Sequence, residues 1–138
     1  LKAIREKVNN NFIVMSGDTY NNFDLLKMIK KHIESEKLAT MGLMTREKAS
    51  SYGTAILDGD LIVDFQEKPK HYSTNIVNAG IYIFNPEVFE IFESDVSEFA
   101  RAHSHSTAVS LEKDLFPKLA RTKQLVGFFT YGEYRHVV

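Results

Sequence analysis

The chain has 138 residues, of which 43% are hydrophobic and 25% charged, enough for one globular domain with a real core. Seventeen basic and 18 acidic residues leave a formal net charge of -1, which gives no support to a nucleic-acid surface or a polybasic membrane patch. No apolar run is long enough to span a bilayer, and zero Cys excludes disulfides and thiolate metal sites while fitting a reducing cytoplasm.

Leu1, Ile4 and Val8 recur at helical spacing among charges, which predicts a helix that Asn9-Asn10-Asn11 breaks. The sequence opens on Leu1 within that pattern, with no signal-peptide or cleavage pattern, and so reads as the continuation of a longer chain. Phe12-Ile13-Val14-Met15 is a continuous apolar run of the kind found in buried parallel strands. It ends at Ser16-Gly17-Asp18-Thr19, a small-residue turn with one acid. Ligands gather at the carboxyl ends of strands in open α/β sheets, so Asp18 sits where chemistry is expected. An Asp in a loop preparing the next helix is the alternative. Asn22 is predicted to cap that helix, with Asp24 favourable in the first turn. Leu25, Leu26, Ile29 and Ile33 form its inner face, and Lys27, Lys30, Lys31 and Glu34 its outer face. His32 reads as a helix-surface or packing residue rather than a metal ligand. A strand follows over 38–45, with Met41 and Met44 filling the core.

Tyr52-Gly53 precedes the apolar run Thr54-Ala55-Ile56-Leu57; Asp58-Gly59 is a hairpin turn, and Leu61-Ile62-Val63 returns. Asp58-Gly59-Asp60 also matches an Asp-x-Asp metal pattern, but Asp-Gly between apolar runs is foremost a hairpin signal. After a polar loop over 71–75, a strand is predicted over 76–84, interrupted by Asn78 and by Gly80, and such a Gly often marks a close approach of backbone or ligand. Asn85-Pro86 starts a short helix. The polar stretch over 94–107, with His103 and His105, is expected to be a solvated loop rather than a metal chelate. Ser110 is predicted to cap a helix over 111–120 with Leu111, Leu115 and Leu119 on one face, and a last strand covers 124–131.

Phe65-Gln66-Glu67-Lys68-Pro69 places a carboxylate and an ammonium side by side where Pro stops a strand. A carboxylate that accepts from hydroxyls, beside a Lys that neutralises a phosphate, suits a sugar phosphate. Adjacent strand residues face opposite ways, so both groups reach one ligand only if the strand end bends. Glu-Lys-Pro is equally an ordinary exit from a sheet.

Taken in order, "SGD" (16–18), Tyr52-Gly53, the hairpin, "FQEKP" (65–69), "NAGIYIFNPE" (78–87), "SLEKDLFP" (110–117) and a closing strand with an aromatic turn resemble the sugar-1-phosphate nucleotidyltransferases, across nearly the whole chain. Within that family the wording is most similar to members making GDP-mannose or a manno-heptose nucleotide. The resemblance implies a Rossmann-like, glycosyltransferase-A-like α/β/α sandwich with a mixed sheet, of which residues 1–138 are the C-terminal, sugar-phosphate- and metal-binding part of a single domain.

The implied reaction is attack of a sugar 1-phosphate on the α-phosphorus of a nucleoside triphosphate, giving a nucleotide sugar and pyrophosphate. The protein aligns two polyanions and neutralises charge. Magnesium is the implied ion, the cytoplasm the implied compartment, and a homo-oligomer the implied assembly, with no nucleic-acid or membrane partner. By resemblance Asp18 is the magnesium carboxylate; Tyr52 and Gly53 line the sugar site, the Gly53 amide facing a hydroxyl. Glu67 accepts from sugar hydroxyls, Lys68 pairs with the sugar phosphate as a catalytic charge, Asn78 bonds the sugar, Gly80 allows close approach and Tyr82 walls the pocket.

Two departures stand out. The family's Gly-rich triphosphate loop, with its Arg and Pro-Lys-Pro, has no counterpart here, so this polypeptide alone is expected to be inactive. The family's second metal-binding Asp, in a pattern like Trp-x-Asp-Ile-Gly, falls on His136 of Tyr134-Arg135-His136-Val137-Val138. A neutral His brings no negative charge, and magnesium prefers oxygen. A non-catalytic, sugar-nucleotide-binding relative is therefore a second reading, and a glycosyltransferase using Asp58-Gly59-Asp60 a third.

Overall fold

The computed structural model describes residues 10–16, 19–21, 24–47, 52–71, 74–91, 111–129 and 134–136. The predicted first helix, Asp18, the Asn22 and Ser110 caps and the 94–107 loop with His103 and His105 lie outside them. In chain order the elements are β1 (Phe12–Met15), β2 (Thr19–Asn21), α1 (Leu25–Ser35), β3 (Ala39–Thr45), β4 (Thr54–Asp58), β5 (Leu61–Gln66) and β6 (Ile76–Phe84). A π-helical turn (Leu111–Leu115), α2 (Phe116–Arg121), β7 (Leu125–Phe129) and β8 (Tyr134–His136) complete them.

Six strands form one mixed sheet in the order β1-β6-β3-β7-β5-β4, with a further β6–β4 pairing; β2 and β8 form a separate two-stranded ribbon. Only β3 and β7 pair in parallel among the described ladders. β1 departs from its predicted role. It pairs antiparallel with β6, and Ile13 and Met15 stay exposed while Phe12 and Val14 pack inward. A continuous apolar run is thus read here with period two.

Alternation along β6 builds the layers. Ile81 and Ile83 pack against Met28 of α1, with Leu25 and Ile29 beside them. Tyr82 and Phe84 turn the other way into the main core with Leu115, Phe116 and Leu119. The Phe116 ring lies 4.8 Å from that of Tyr82, 5.5 Å from Phe65 and 6.1 Å from Phe84. Burying such a ring contributes about 2–3 kcal/mol, so Phe116 is the pin of this layer. The helix over 111–120 begins as a π-turn, and Pro117 sits in the first turn of α2, where its missing N–H costs the α-helix no bond.

Helix α1 differs from its predicted face. Asp24 is the cap, its Oδ1 accepting from the Lys27 amide at 3.1 Å. Met28 and His32 are buried, whereas Leu26 and Ile33 are exposed. His32 is a packing residue: its Nδ1 sits 2.7 Å from Thr40 Oγ1, and burial pulls its pKa below the usual 6.5. Lys31, predicted to face solvent, is half-buried instead, donating to the Gly127 carbonyl at 2.9 Å and pairing with Asp60 at 3.1 Å. No described helix is long and apolar enough to cross a membrane.

Candidate functional site

The predicted hairpin forms, with Asp58 opposite Leu61, so Gly59 and Asp60 are its loop and Asp58 the last strand residue. Gly59 takes φ +61°, which a glycine adopts without the cost a Cβ adds. The Asp60 carboxylate is held by Lys31 and its carbonyl by the Gly127 amide at 2.8 Å. This turn lies at the opposite end of the hairpin from Glu67, about 20 Å along β5 at the usual strand rise. Structure therefore accounts for Asp58-Gly59-Asp60.

At the other end of the hairpin three segments meet. Thr54 is the register partner of Gln66 on one side and of Val77 on the other. Beyond that row the Lys68 amide donates to the Tyr52 carbonyl at 3.2 Å, and the Asn78 amide to the Gly53 carbonyl at 2.9 Å. Glu67-Lys68, Tyr52-Gly53 and Asn78, separated in sequence, thus lie side by side on neighbouring strand ends. Lys68 has φ +43°, a left-handed conformation that ends the strand's alternation and supplies the bend the sequence reading required. Lys68 is exposed and Glu67 half-buried.

Glu67 has a carboxyl raised above the usual range, chiefly by burial and next by Glu112; Lys68, Lys113 and the Lys68 amide oppose the rise. Glu112 and Lys113, in the π-turn before α2, are neighbours of the site that reading the residues did not assign. The signal was present in "SLEKDLFP", but nothing in that string says which strand end it overhangs. Contact of α2 with β5 through Phe116 and Phe65 brings the turn there.

Gly53 is buried, and a Cβ on it would lie 2.4 Å from Phe65 Cζ. The absence of a side chain here serves packing, whatever its amide meets. Tyr82 is 4% exposed, its ring in the core, and what it offers the site is a hydroxyl that accepts from Asn78 Nδ2. Gly80, at φ +79°, lies in a bulge: β3 advances from Met41 to Leu43 while β6 runs from Tyr82 to Asn78. Within the bulge the Gly80 amide donates to Asn78 Oδ1 at 2.7 Å. The Gly80 carbonyl accepts from the Ser16 amide at 2.8 Å, tying β6 to the end of β1.

His136 is in β8, opposite Thr19 of β2, the residue after Asp18. Among the described residues no three His, Asp or Glu side chains gather as a metal site. Two grooves elsewhere are lined largely by polar and charged groups: about 340 Å³ between the end of α1 and the hairpin turn, and about 400 Å³ at Asn10, Asn11 and Asn85–Glu87. Neither includes any residue of the Glu67–Asn78 row.

The family model for nucleotidyl transferases matches residues 1–131. This chain belongs to the nucleotidyl transferase family. It is 32% identical over 129 residues to the D-glycero-alpha-D-manno-heptose 1-phosphate guanylyltransferase of Aneurinibacillus thermoaerophilus, covering 94% of this chain and 51% of that protein. It is also 32% identical over 122 residues to the mannose-1-phosphate guanylyltransferase catalytic subunit beta of Drosophila pseudoobscura pseudoobscura, covering 88% and 30%. The chain thus spans about half or less of the length of these relatives. Among solved structures, a Bacillus anthracis protein assigned as a glucose-1-phosphate thymidylyltransferase superposes with a TM-score of 0.82 at 18% identity, over 98% of this chain and 52% of that one. This fold likeness agrees with the α/β sandwich expected of a nucleotidyl transferase.

Proposed function

We propose that this chain is the sugar-phosphate-binding part of a sugar-1-phosphate nucleotidyltransferase, which transfers NMP from an NTP to a sugar 1-phosphate and releases pyrophosphate. The observation that carries the reading is the convergence of Tyr52-Gly53, Glu67-Lys68 and Asn78 on one row of strand ends, with Lys68 in a left-handed conformation. In this reading Glu67 accepts from sugar hydroxyls, and the Lys68 ammonium lies against the sugar phosphate, whose attack it aligns by charge. Tyr52 and the Gly53 backbone border the sugar, and Gly80 lets it approach β6. The guanylyl relatives of mannose and manno-heptose 1-phosphates support a GDP-sugar of manno configuration as product.

Magnesium is the ion we assign, and Asp18 the residue that would hold it. One carboxylate suits an ion that completes its shell with water and substrate phosphates. When bound, such an ion neutralises charge at the reacting phosphates. We assign the reaction to the cytoplasm, which the lack of Cys favours. The sequence carries no Gly-rich triphosphate loop, so we infer that these 138 residues alone do not turn over.

The test is pyrophosphate release by the full-length protein, with each of four triphosphates against mannose, glucose, galactose and manno-heptose 1-phosphates. GTP with a manno sugar is the expected pair, and Lys68→Ala is expected to lower turnover about 100-fold. Release with no pair at all overturns the reading and favours the non-catalytic relative that His136 suggests.

A further inference from the structure

Asn78 lies beside Gly53 in the sugar row, yet its side chain is turned inward on both of its functional atoms. Oδ1 accepts from the Gly80 amide at 2.7 Å, closing an Asx-type turn within β6. Nδ2 donates to the hydroxyl of Tyr82, whose ring is locked beside Phe84 and Phe116. The strand needs such a clasp. With Gly80 at φ +79°, two more β6 residues than β3 residues lie between matched partners, so β6 bulges away from β3 at Gly80. The Gly80 amide is held by Asn78, and its carbonyl accepts from the Ser16 amide at 2.8 Å, one rung past the Met15–Ile81 pair of β1 and β6. A continuous path of contacts therefore runs from the aromatic core through Tyr82, Asn78 and Gly80 to Ser16, two residues before Asp18.

We propose that Asn78 is a positioning residue: its side chain clasps the β6 bulge and, through Gly80, fixes the Ser16 end of β1 relative to the sugar-phosphate row. The sugar contact that resemblance implies is then not its principal task. Only the consequence for turnover rests on the nucleotidyltransferase reading; the clasp stands on the hydrogen bonds.

The roles separate in two measurements on the full-length protein carrying Asn78→Ala, Tyr82→Phe or both. Hydrogen exchange at the Ser16 amide is the first, with the Ile62 amide in the core as control. A clasp predicts exchange at Ser16 about fivefold faster in either single variant, the size expected for one hydrogen bond, with Ile62 unchanged. Steady-state kinetics is the second. Misplacement of the Ser16 end of β1 predicts that both variants lower kcat about tenfold, change the KM for sugar 1-phosphate less than about threefold, and add no further loss in combination.

Two outcomes overturn the proposal. One is an Asn78→Ala variant whose KM rises at least tenfold while kcat and Ser16 exchange stay as in the parent, the mark of a direct sugar contact. The other is unchanged Ser16 exchange in both single variants. If the parent protein releases no pyrophosphate, the functional reading fails, and Ser16 exchange still decides the clasp. Tyr82→Phe removes only a hydroxyl from a packed ring, so it keeps the test open should Asn78→Ala fail to fold.

Discussion

Replacing Lys68 with Gly should separate stability from function. A non-glycine residue at φ +43° gives up about 1 kcal/mol relative to a relaxed conformation, and the following Pro69 further disfavours helical geometry before it. Glycine removes that strain but gives up about 0.5–1 kcal/mol more conformational freedom on folding. The Lys68 side chain is exposed, and its loss should cost the fold little. Its amide bond to the Tyr52 carbonyl survives the exchange. Together these place Lys68→Gly between no change and about 0.5 kcal/mol of stabilisation, a rise in Tm of no more than about 2 °C. Turnover should move the other way, falling about 100-fold with loss of the charge on the phosphate. Urea unfolding and pyrophosphate release on one preparation provide the check. A loss of more than about 2 kcal/mol would make Lys68 a structural strut, and refute the reasoning. So would turnover within twofold of the parent.

Four further outcomes follow from the same geometry. Gly53→Ala should destabilise the fold by about 1–3 kcal/mol, because its Cβ meets the buried Phe65 ring at 2.4 Å; thermal melts measure it. Glu67→Gln should raise Tm at pH 7 while lowering turnover. With the folded pKa above the usual 4.5, this group's stabilising contribution is present below that value and lost as pH rises through the folded pKa, so the variant's advantage should vanish in acid. His32 is shifted the opposite way for a base. Stability should be fully present above its usual 6.5 and fall as pH drops from there toward the folded pKa, and His32→Gln should flatten that slope in a pH series of urea melts. Asp60→Asn should leave metal-dependent turnover within twofold, since its carboxylate serves Lys31; abolition of turnover would restore the glycosyltransferase reading.

Much of the frame was legible because single strands carry their own punctuation. The bounds of β6 were read to the residue, and Asp58-Gly59 announced the hairpin although the loop sits one residue later. Helix α1 was misphased because only aliphatic residues were counted. Leu25, Met28, Ile29 and His32 make the buried or half-buried stripe, and of the two readings of His32, surface or packing, packing holds. The β2–β8 ribbon escaped notice because three-residue strands carry no periodicity. Asn78 and Gly80 were noticed, but their bonds to Tyr82, to each other and to Ser16 are tertiary facts. No spacing rule announces them.

A site at "FQEKP" is marked by where departures from ordinary backbone and charge behaviour fall. Among the described residues, Glu36, Lys68 and Lys123 are the non-glycines with positive φ. Glu36 caps the end of α1 and Lys123 follows α2, where left-handed residues are routine. Lys68 follows a strand and precedes a proline, with no such excuse. Gly59 has its positive φ in a hairpin loop, but Gly80 has its own in the middle of β6. Glu67 is the described carboxylate whose pKa rises. The departures without a routine cause therefore lie at the end of β5 and in the bulge of β6, the two strands that β4 pairs with. An ordinary exit from a sheet requires none of the three, whereas a pocket that must aim a charge, admit a ligand to backbone and hold a half-buried carboxylate requires all of them.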